Sequence, residues 1–240
     1  MPTLKGKVAI ITGASFGLGK AIALKLAPEG AELALIARTE TELQKVRKKA
    51  ILLGASCQYY LCDVRDAATV EKTIAKVLKD FGTIDILINN AGVYYEEPTA
   101  TMTDERIEAQ FATNALGTVF MTKYVLPTLT HHNTGQIFNV ISIAGVETNG
   151  EWGIYAGTKH AVEGFTESLR KELVETKIKV MAIYPEIINT HIFQAAGYHQ
   201  YGPDESRMMN PDDIADIVVF MLKQPDDIAM GHVEIRKIKS

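Results

Sequence analysis

The sequence has few cysteines, a single tryptophan and no strong charge of either sign. Cys57 and Cys62 lie an odd number of positions apart in one predicted strand, so they should face opposite sides and not pair. No disulfide scaffold is therefore predicted, and a reducing, cytoplasmic setting is expected. The formal net charge of −4 gives no reason to expect binding to nucleic acid or to an acidic membrane.

Long apolar segments are also missing. No apolar run reaches the length needed to cross a bilayer, and no signal peptide is visible before the first strand. No metal site is expected. A chain of 240 residues fits one domain, residues 1–240, because single hydrophobic cores grow to about 250 residues before they split.

Short apolar runs alternate with longer helical stretches along the whole chain. The predicted strands are Val8–Thr12, Glu32–Ile36, Gln58–Leu61, Ile84–Ile88, Gln136–Ile141, Lys179–Ile183 and His232–Ile235. The predicted helices lie near residues 18–28, 40–53, 67–80, 103–111, 115–131, 155–175 and 211–223. This alternation predicts an α/β fold with a doubly wound parallel sheet and helices on both faces. Ligands of such sheets bind beyond the carboxyl ends of the strands, so functional residues are expected there.

A glycine-rich loop joins the first predicted strand to the first helix. Its sequence, Thr-Gly-Ala-Ser-Phe-Gly-Leu-Gly, spans Thr12–Gly19. Glycines permit a tight turn and the close approach of a pyrophosphate, and the helix N-terminus supplies free N–H groups. The alternative is a plain strand-to-helix turn. The predicted cofactor contacts in this loop are Gly13, Ser15, Phe16, Gly17, Leu18 and Gly19.

The ends of the next strands carry further cofactor candidates. Arg38 stands where NAD-binding proteins usually have an acid for the ribose 2′-hydroxyl, so it favours the 2′-phosphate of NADP; alternatively it is a solvated arginine. Asp63, followed by Val64, is predicted to accept a bond from the adenine amino group, or to cap the helix beginning near Asp66. The segment Asn89–Gly92 is predicted to pack against the ribose and brace the central strands, or to be a simple turn.

The candidate catalytic groups follow the fourth and fifth predicted strands. Tyr155 and Lys159 are four positions apart and share one helix face. The ammonium is expected to lower the pKa of the phenol from about 10, which would make Tyr155 a general acid or base near neutral pH. Ser142 is predicted to polarise a substrate carbonyl, and Asn114 to hold a water linked to Lys159. Because such a Tyr–Lys pair is usually a packing pair, the prediction rests on all these groups meeting at one sheet edge.

Taken together, these residues resemble the short-chain dehydrogenase/reductase family, in its single-domain branch, over nearly the whole chain. The resemblance implies a seven-stranded Rossmann fold, hydride transfer between nicotinamide C4 and a carbonyl or alcohol, and a homotetramer or homodimer. It also implies that Tyr155 donates the proton in reduction and that Lys159 bonds the nicotinamide ribose. The implied catalytic tetrad is Asn114, Ser142, Tyr155 and Lys159. The remaining predicted cofactor contacts are Asn90, Ala91, Gly92, Pro185, Ile188 and Thr190.

Some positions depart from that family's pattern. Glu186 stands where members usually have glycine, which predicts extra bulk and charge beside the nicotinamide. Phe16 stands where many NADP-binding members have a basic residue, so the NADP(H) prediction rests mainly on Arg38. Residues 186–209 are predicted to form a substrate lid. The predicted substrate contacts are Ser142, Tyr155, Tyr94, Trp152, Glu186 and Phe193. Further candidates are Tyr95, Glu147, Glu151, His191, Tyr198, His199, Tyr201, Met208 and Met209; alternatively, several of these side chains simply cover the core.

These residues are compatible with three functions. The first is an NADP(H)-dependent oxidoreductase acting on a carbonyl or secondary alcohol. The second is a 3-oxoacyl (acyl-carrier-protein) thioester reductase, which predicts a basic docking patch built from Lys123, Arg170 and Lys171. The third is an NADPH-sensing binding protein without turnover, which the presence of both Tyr155 and Lys159 disfavours.

Overall fold

A computed structural model describes residues 3–150, 152–192 and 205–238. Five residues predicted to line the substrate side lie outside the described part of the chain: Glu151, Phe193, Tyr198, His199 and Tyr201. The structural statements that follow concern the described residues.

The centre of the fold is a seven-stranded sheet in which every neighbouring pair of strands is parallel. The strands are β1 (Val8–Thr12), β2 (Glu32–Ala37), β3 (Cys57–Leu61), β4 (Ile86–Asn89), β5 (Gly135–Val140), β6 (Ile178–Pro185) and β7 (His232–Ile235). Their order is β3-β2-β1-β4-β5-β6-β7, so the direction of winding reverses between β1 and β4. The predicted doubly wound, Rossmann-type sheet is confirmed.

Helices cover both faces of this sheet. The helices are α1 (Gly17–Leu26), α2 (Glu40–Leu52), α3 (Ala67–Phe81), α4 (Asp104–Gln110), α5 (Gly117–His132), α6 (Gly153–Glu172) and α7 (Pro211–Leu222). The apolar sides of α1, α2 and α7 form one core, and those of α3, α5 and α6 form the other. All five residues of β1 are buried, because both faces are covered; this is why the strand is continuously apolar. Cys57 and Cys62 are free thiols in opposite cores, as the spacing predicts.

One helical boundary differs from the prediction. The sequence predicts separate helices over 103–111 and 115–131, whereas the structure joins α4 to α5 through a π-helical segment, Phe111–Leu116. Such wide turns insert an extra residue per turn and occur often at functional sites. Asn114 lies inside this segment rather than at the start of a helix. Among the helices of the described residues, none has the length and apolarity of a membrane span.

Candidate active site

The glycine-rich loop forms a cradle at the carboxyl end of β1. Gly13 has a φ of 65°, a left-handed conformation that favours glycine. A Cβ added at Gly19 would lie only 2.4 Å from the carbonyl oxygen of Gly13, so a side chain there would fill the loop. Phe16, the residue before α1, offers no side-chain cap, and the first turn holds no acidic residue. The first N–H groups of α1 are therefore suited to the pyrophosphate of a dinucleotide.

Thr12 and Asn90 hold this loop against the end of β4. The Thr12 Oγ1 accepts hydrogen bonds from the backbone N–H groups of Asn90 (2.9 Å) and Ala91 (3.0 Å). The Asn90 amide donates in return to the Thr12 carbonyl oxygen, at 2.9 Å. The carboxyl ends of β1 and β4, the strands between which the direction of winding reverses, are thus held together. The predicted bracing by the Asn89–Gly92 segment is what these contacts show; its contact with a ribose stays a prediction.

A second amide network braces β4 against β5. The Asn89 Nδ2 donates to Asn139 Oδ1 (2.9 Å) and to Thr122 Oγ1 (3.1 Å), and Asn139 Nδ2 donates to Thr166 Oγ1 (2.8 Å). All four side chains are buried. Buried hydrogen bonds of this kind are costly to break, so they fix how far β4 and β5 are shifted along each other. They therefore fix the position of Val140 and Ser142, which follow at the end of β5.

Ser142 has an unusual backbone conformation at the end of β5. Its φ is 137° and its ψ is 158°, a region populated almost entirely by glycine. Its Oγ accepts a hydrogen bond from the backbone N–H of Ala144 (3.2 Å) and is hydrogen-bonded to Tyr155. A strained backbone therefore places the hydroxyl beside the phenol, as expected for a residue held in a functional position.

Tyr155 and Lys159 lie on one face of α6, as the spacing predicts. The Lys159 Nζ is 5.7 Å from the centroid of the Tyr155 ring and donates to the Val140 carbonyl oxygen at 3.2 Å. The predicted lowering of the Tyr155 pKa is wrong in this structure, since burial raises it to about 12 despite the hydrogen bond with Ser142. Burial also lowers the pKa of Lys159 to about 8. Both shifts have the same cause, because exclusion of water disfavours phenolate and ammonium alike.

Asn114 positions the segment that follows β4. Its Oδ1 accepts from the backbone N–H of Val93 (2.8 Å), and its Nδ2 donates to the Val93 carbonyl oxygen (2.9 Å) and to Thr158 Oγ1 (3.0 Å). A Cβ added to Gly92 would lie 3.4 Å from Asn114 Oδ1 and 3.9 Å from Lys159 Nζ, so Gly92 separates the two side chains. Asn114 thus lies near Lys159, and its amide holds the backbone of Val93 in place. Its predicted role in holding a water stays a prediction.

The adenosine end of the expected cofactor site lies beyond β2 and β3. Asp63 is held by Arg65, whose Nη2 is 2.6 Å from Asp63 Oδ2, while Arg38 Nη1 is 3.9 Å from the same oxygen. Arg65 keeps the pKa of the Asp63 carboxyl below its usual range. The alternative role of Asp63 as a helix cap is wrong, because Asp66 caps α3 by accepting from the N–H groups of Ala68 and Thr69. Val64 packs against Gly117 at the start of α5.

One aromatic ring packs directly on Tyr155, on the side where the substrate is predicted to bind. The ring of Tyr94 meets that of Tyr155 edge-on, with centroids 4.8 Å apart, and its hydroxyl bonds to Glu96. Trp152 is half-buried directly before α6. Glu186 accepts a hydrogen bond from the backbone N–H of Lys237 (3.2 Å), and its predicted effect beside the nicotinamide stays a prediction. Its carboxylate is therefore tied to the C-terminal segment.

The segment after β6 returns to the glycine-rich loop. His191 stacks on Phe16 with ring centroids 5.0 Å apart, and a Cβ added at Gly17 would lie 2.9 Å from Thr190 Cβ. Ile188 forms an isolated parallel bridge with Met209, so both ends of the predicted lid are anchored to each other. Pro185 is the last residue of β6. The predicted cofactor contacts Phe16, Gly17 and Thr190 are thus brought together.

Arg170, one candidate for the basic docking patch of a thioester reductase, lies near the C-terminal end of α6, whereas Tyr155 lies near the N-terminal end of that helix. Arg170 donates to the backbone carbonyl oxygens of Val180, early in β6, and Gly231, directly before β7, and also pairs with Glu167. Lys123 lines a groove between α5 and α6. Arg170 therefore holds the opposite end of the sheet and is not available for docking beside Tyr155.

Known proteins resemble this chain in both sequence and fold. The sequence profile of the short chain dehydrogenase family matches residues 7–200. The chain belongs to this family. It is an oxidoreductase, in line with an uncharacterized oxidoreductase of Staphylococcus aureus (strain MW2) that is 32% identical over 99% of this chain and 100% of the relative.

Solved structures of other members superpose closely. An alcohol dehydrogenase from the archaeon Thermococcus sibiricus, complexed with 5-hydroxy-NADP, is 30% identical with a TM-score of 0.89, covering 98% of this chain and 97% of that one. A short-chain dehydrogenase/reductase from Burkholderia phymatum in complex with NAD is 25% identical with a TM-score of 0.89, covering 98% and 90%. Members of this family thus include structures with either form of the nicotinamide dinucleotide.

Sequence reasoning missed several residues that shape the site. One is Arg65, whose sequence signal is its place two positions after Asp63. Asn139 interrupts an apolar strand, and a buried amide in such a position needs a partner, which is a usable signal for the network with Asn89. The hydrogen-bonding role of Thr12 had no local signal, because its partners Asn90 and Ala91 are far away in sequence.

Proposed function

We propose that this protein is an NADP(H)-dependent oxidoreductase that transfers a hydride between nicotinamide and a carbonyl or secondary alcohol. The observation that carries the proposal is the meeting of Ser142, Tyr155 and Lys159 beside the glycine cradle, at one edge of the sheet. When bound, the nicotinamide supplies or accepts the hydride at C4. Gly13, Gly19 and the N-terminus of α1 would hold the pyrophosphate, and Lys159 would bond the ribose.

In this proposal Tyr155 handles the proton and Ser142 orients the substrate oxygen. The Ser142 hydroxyl, next to the phenol, donates a hydrogen bond to the carbonyl oxygen and polarises it. Because the pKa of Tyr155 is raised to about 12, its phenol keeps its proton at neutral pH and suits the donation of a proton to a developing alkoxide. Tyr94, with its ring against Tyr155, would form one wall of the substrate cleft.

The direct test of the proposed activity is a panel of carbonyl compounds with NADPH. Purified protein is incubated with aliphatic, aromatic and cyclic ketones, sugars, and a 3-oxoacyl thioester, and NADPH consumption is followed by absorbance. We expect at least one ketone to be reduced, and the thioester not to be preferred, since Arg170 is not available for docking. Tight NADPH binding without turnover of any compound would contradict the proposal and favour a binding protein.

The preference for NADP(H) rests on Arg38, whose side chain is 57% exposed at the end of β2. We expect Arg38→Asp to raise the Kd for NADPH by about a hundredfold and to move the preference toward NADH, because a charge-assisted bond to phosphate is replaced by repulsion. Fluorescence titration with both cofactors measures this. Equal affinity of the unchanged protein for NADPH and NADH would contradict the role of Arg38.

We also propose that the protein forms a homodimer or homotetramer through α5 and α6. The groove between these helices is lined by apolar side chains, and Phe111 and Leu116 are also exposed on the preceding π-helical segment. The residues lining the groove include Val119, Leu126, Pro127, Phe165 and Leu169. An exposed apolar surface of this kind favours a contact with a second protein chain.

A further inference from the structure

Two arginines compete for one carboxylate at the adenosine end of the site. The Arg65 Nε lies 3.0 Å from Asp63 Oδ1 and 2.9 Å from Oδ2, and its Nη2 lies 2.6 Å from Oδ2. The Arg65 backbone N–H also donates to Oδ1 at 3.0 Å. Arg38 Nη1 stays 3.9 Å from Oδ2. The carboxylate is thus engaged on both oxygens by Arg65, and Arg38 is outside hydrogen-bond distance.

Two other carboxylates close to Arg38 in sequence are also engaged elsewhere, and one of them, Glu42, pairs with Lys45 at 2.6 Å. Glu40 Oε1 accepts hydrogen bonds from Tyr59 Oη (2.9 Å) and Gln44 Nε2 (3.3 Å). Among the described residues, the 3.9 Å contact with Asp63 is the only ion-pair contact of Arg38. A guanidinium has five N–H donors, so those of Arg38 remain available to an anion.

We propose that Arg65 is a positioning residue for cofactor selection: by holding Asp63, it keeps Arg38 free to bind the 2′-phosphate of NADP(H). This inference rests on the proposed preference for NADP(H) and extends it. It explains how the chain could select the 2′-phosphate although its glycine-rich loop carries Phe16 where many NADP-binding members have a basic residue. The observation that supports this proposal is that Asp63 Oδ2 lies 2.6 Å from Arg65 Nη2 but 3.9 Å from Arg38 Nη1.

Removal of Arg65 would change the partner of Asp63. An ionised carboxylate beside one remaining guanidinium forms a close, two-pronged ion pair with it. Arg38 would then be bound by Asp63, and a 2′-phosphate would have to displace that carboxylate and approach its negative charge. NADH carries a neutral hydroxyl at this position, so its binding does not depend on a free Arg38. The effect should therefore be selective for the phosphorylated cofactor.

The test is a double-mutant comparison read by equilibrium binding. The Kd values for NADPH and NADH are measured by nicotinamide fluorescence for the unchanged protein, Arg65→Ala, Asp63→Asn and the double variant. Arg65→Ala should raise the Kd for NADPH about tenfold and that for NADH by no more than about twofold. Asp63→Asn alone weakens both cofactors through the adenine. When Arg65→Ala is added to Asp63→Asn, the ratio of the Kd values for NADPH and NADH should change by no more than about twofold, because the carboxylate that competes for Arg38 is gone.

A matched control removes a different arginine that also has an acidic partner. Arg106 pairs with Glu97 and lies over the ring of Tyr95. Arg106→Ala changes the net charge equally but leaves Asp63 with Arg65, so the cofactor ratio should not change. An equal loss of both cofactors in Arg65→Ala, or a full loss of selectivity in the double variant relative to Asp63→Asn, would overturn the inference.

The two proposals fail in different ways. If the unchanged protein prefers NADPH and Arg38→Ala removes that preference while Arg65→Ala does not, only the role of Arg65 is refuted. If the unchanged protein binds both cofactors equally, the proposed preference for NADP(H) is refuted and the role of Arg65 is refuted with it.

Discussion

Replacement of Tyr155 by phenylalanine is expected to lower kcat by at least about a thousandfold, because it removes the proposed proton donor together with its bond to Ser142. The ring and its edge contact with Tyr94 are kept, so the fold and the cofactor site should be unchanged. The measurements are steady-state rates with the best ketone of the panel and the Kd for NADPH. The Kd should stay within about twofold.

A matched variant separates the loss of this hydroxyl from the loss of any tyrosine hydroxyl. Tyr124 lies on α5, with the Lys123 ammonium over its ring, and packs against the core formed by α3, α5 and α6. Tyr124→Phe should keep nearly the full rate. If Tyr155→Phe retained a rate within tenfold of the unchanged protein, Tyr155 would not be the proton donor and the mechanism would fail.

Replacement of Lys159 by methionine is expected to abolish turnover yet stabilise the cofactor-free protein by about 2 kcal/mol at pH 7. Burial lowers the pKa of Lys159 from 10.5 to about 8, and each pKa unit corresponds to about 1.4 kcal/mol of cost to the buried ammonium. The lost hydrogen bond to the Val140 carbonyl oxygen offsets part of that gain, about 1 kcal/mol. Chemical denaturation of both proteins measures the difference.

The stabilisation should depend on pH with a definite sign. Below pH 8 both the folded and unfolded chains carry the Lys159 proton, and the folded state bears the full desolvation cost. Between pH 8 and 10.5 the folded protein releases this proton while the unfolded chain keeps it, so the stability of the unchanged protein rises relative to that of the variant. The advantage of Lys159→Met should therefore shrink from pH 7 to pH 10.

The control for this prediction lies on the same helix. Lys171 is exposed near the C-terminal end of α6, and Lys171→Met should change the free energy of unfolding by less than about 0.5 kcal/mol at either pH. A Lys159→Met variant less stable than the unchanged protein at pH 7 would show that the ammonium contributes favourably to the fold, contrary to the expectation.

The order of strands and helices is predictable from the sequence because the sheet is buried on both faces. Continuous apolar runs such as Val8–Thr12 have no other stable place in a chain of this length, and their parallel pairing follows from the intervening helices. The carboxyl edge could be predicted for the same reason, and with it the neighbourhood of Ser142 and Tyr155. Bounds at the ends of elements moved by one to three residues, as at the start of α6.

Two errors at the site have a common physical origin. The π-helical segment around Asn114 and the raised pKa of Tyr155 both depend on how tightly the surroundings pack, which a spacing of residues does not express. A spacing of four residues predicts that the side chains of Tyr155 and Lys159 are close together, but it does not predict how far water is excluded from around them. The engagement of Asp63 by Arg65 likewise depends on side-chain geometry, although both residues are close in sequence.

The backbone of Ser142 sets a limit on how this protein can be improved. A conformation at φ 137° costs a serine about 1–3 kcal/mol that a glycine would not incur. Any screen that rewards heat resistance alone would therefore favour Ser142→Gly and discard the hydroxyl beside Tyr155. Selection for thermal stability favours glycine at this position, whereas selection for turnover favours serine. A heat-stable variant that keeps its activity therefore has to be stabilised at other positions.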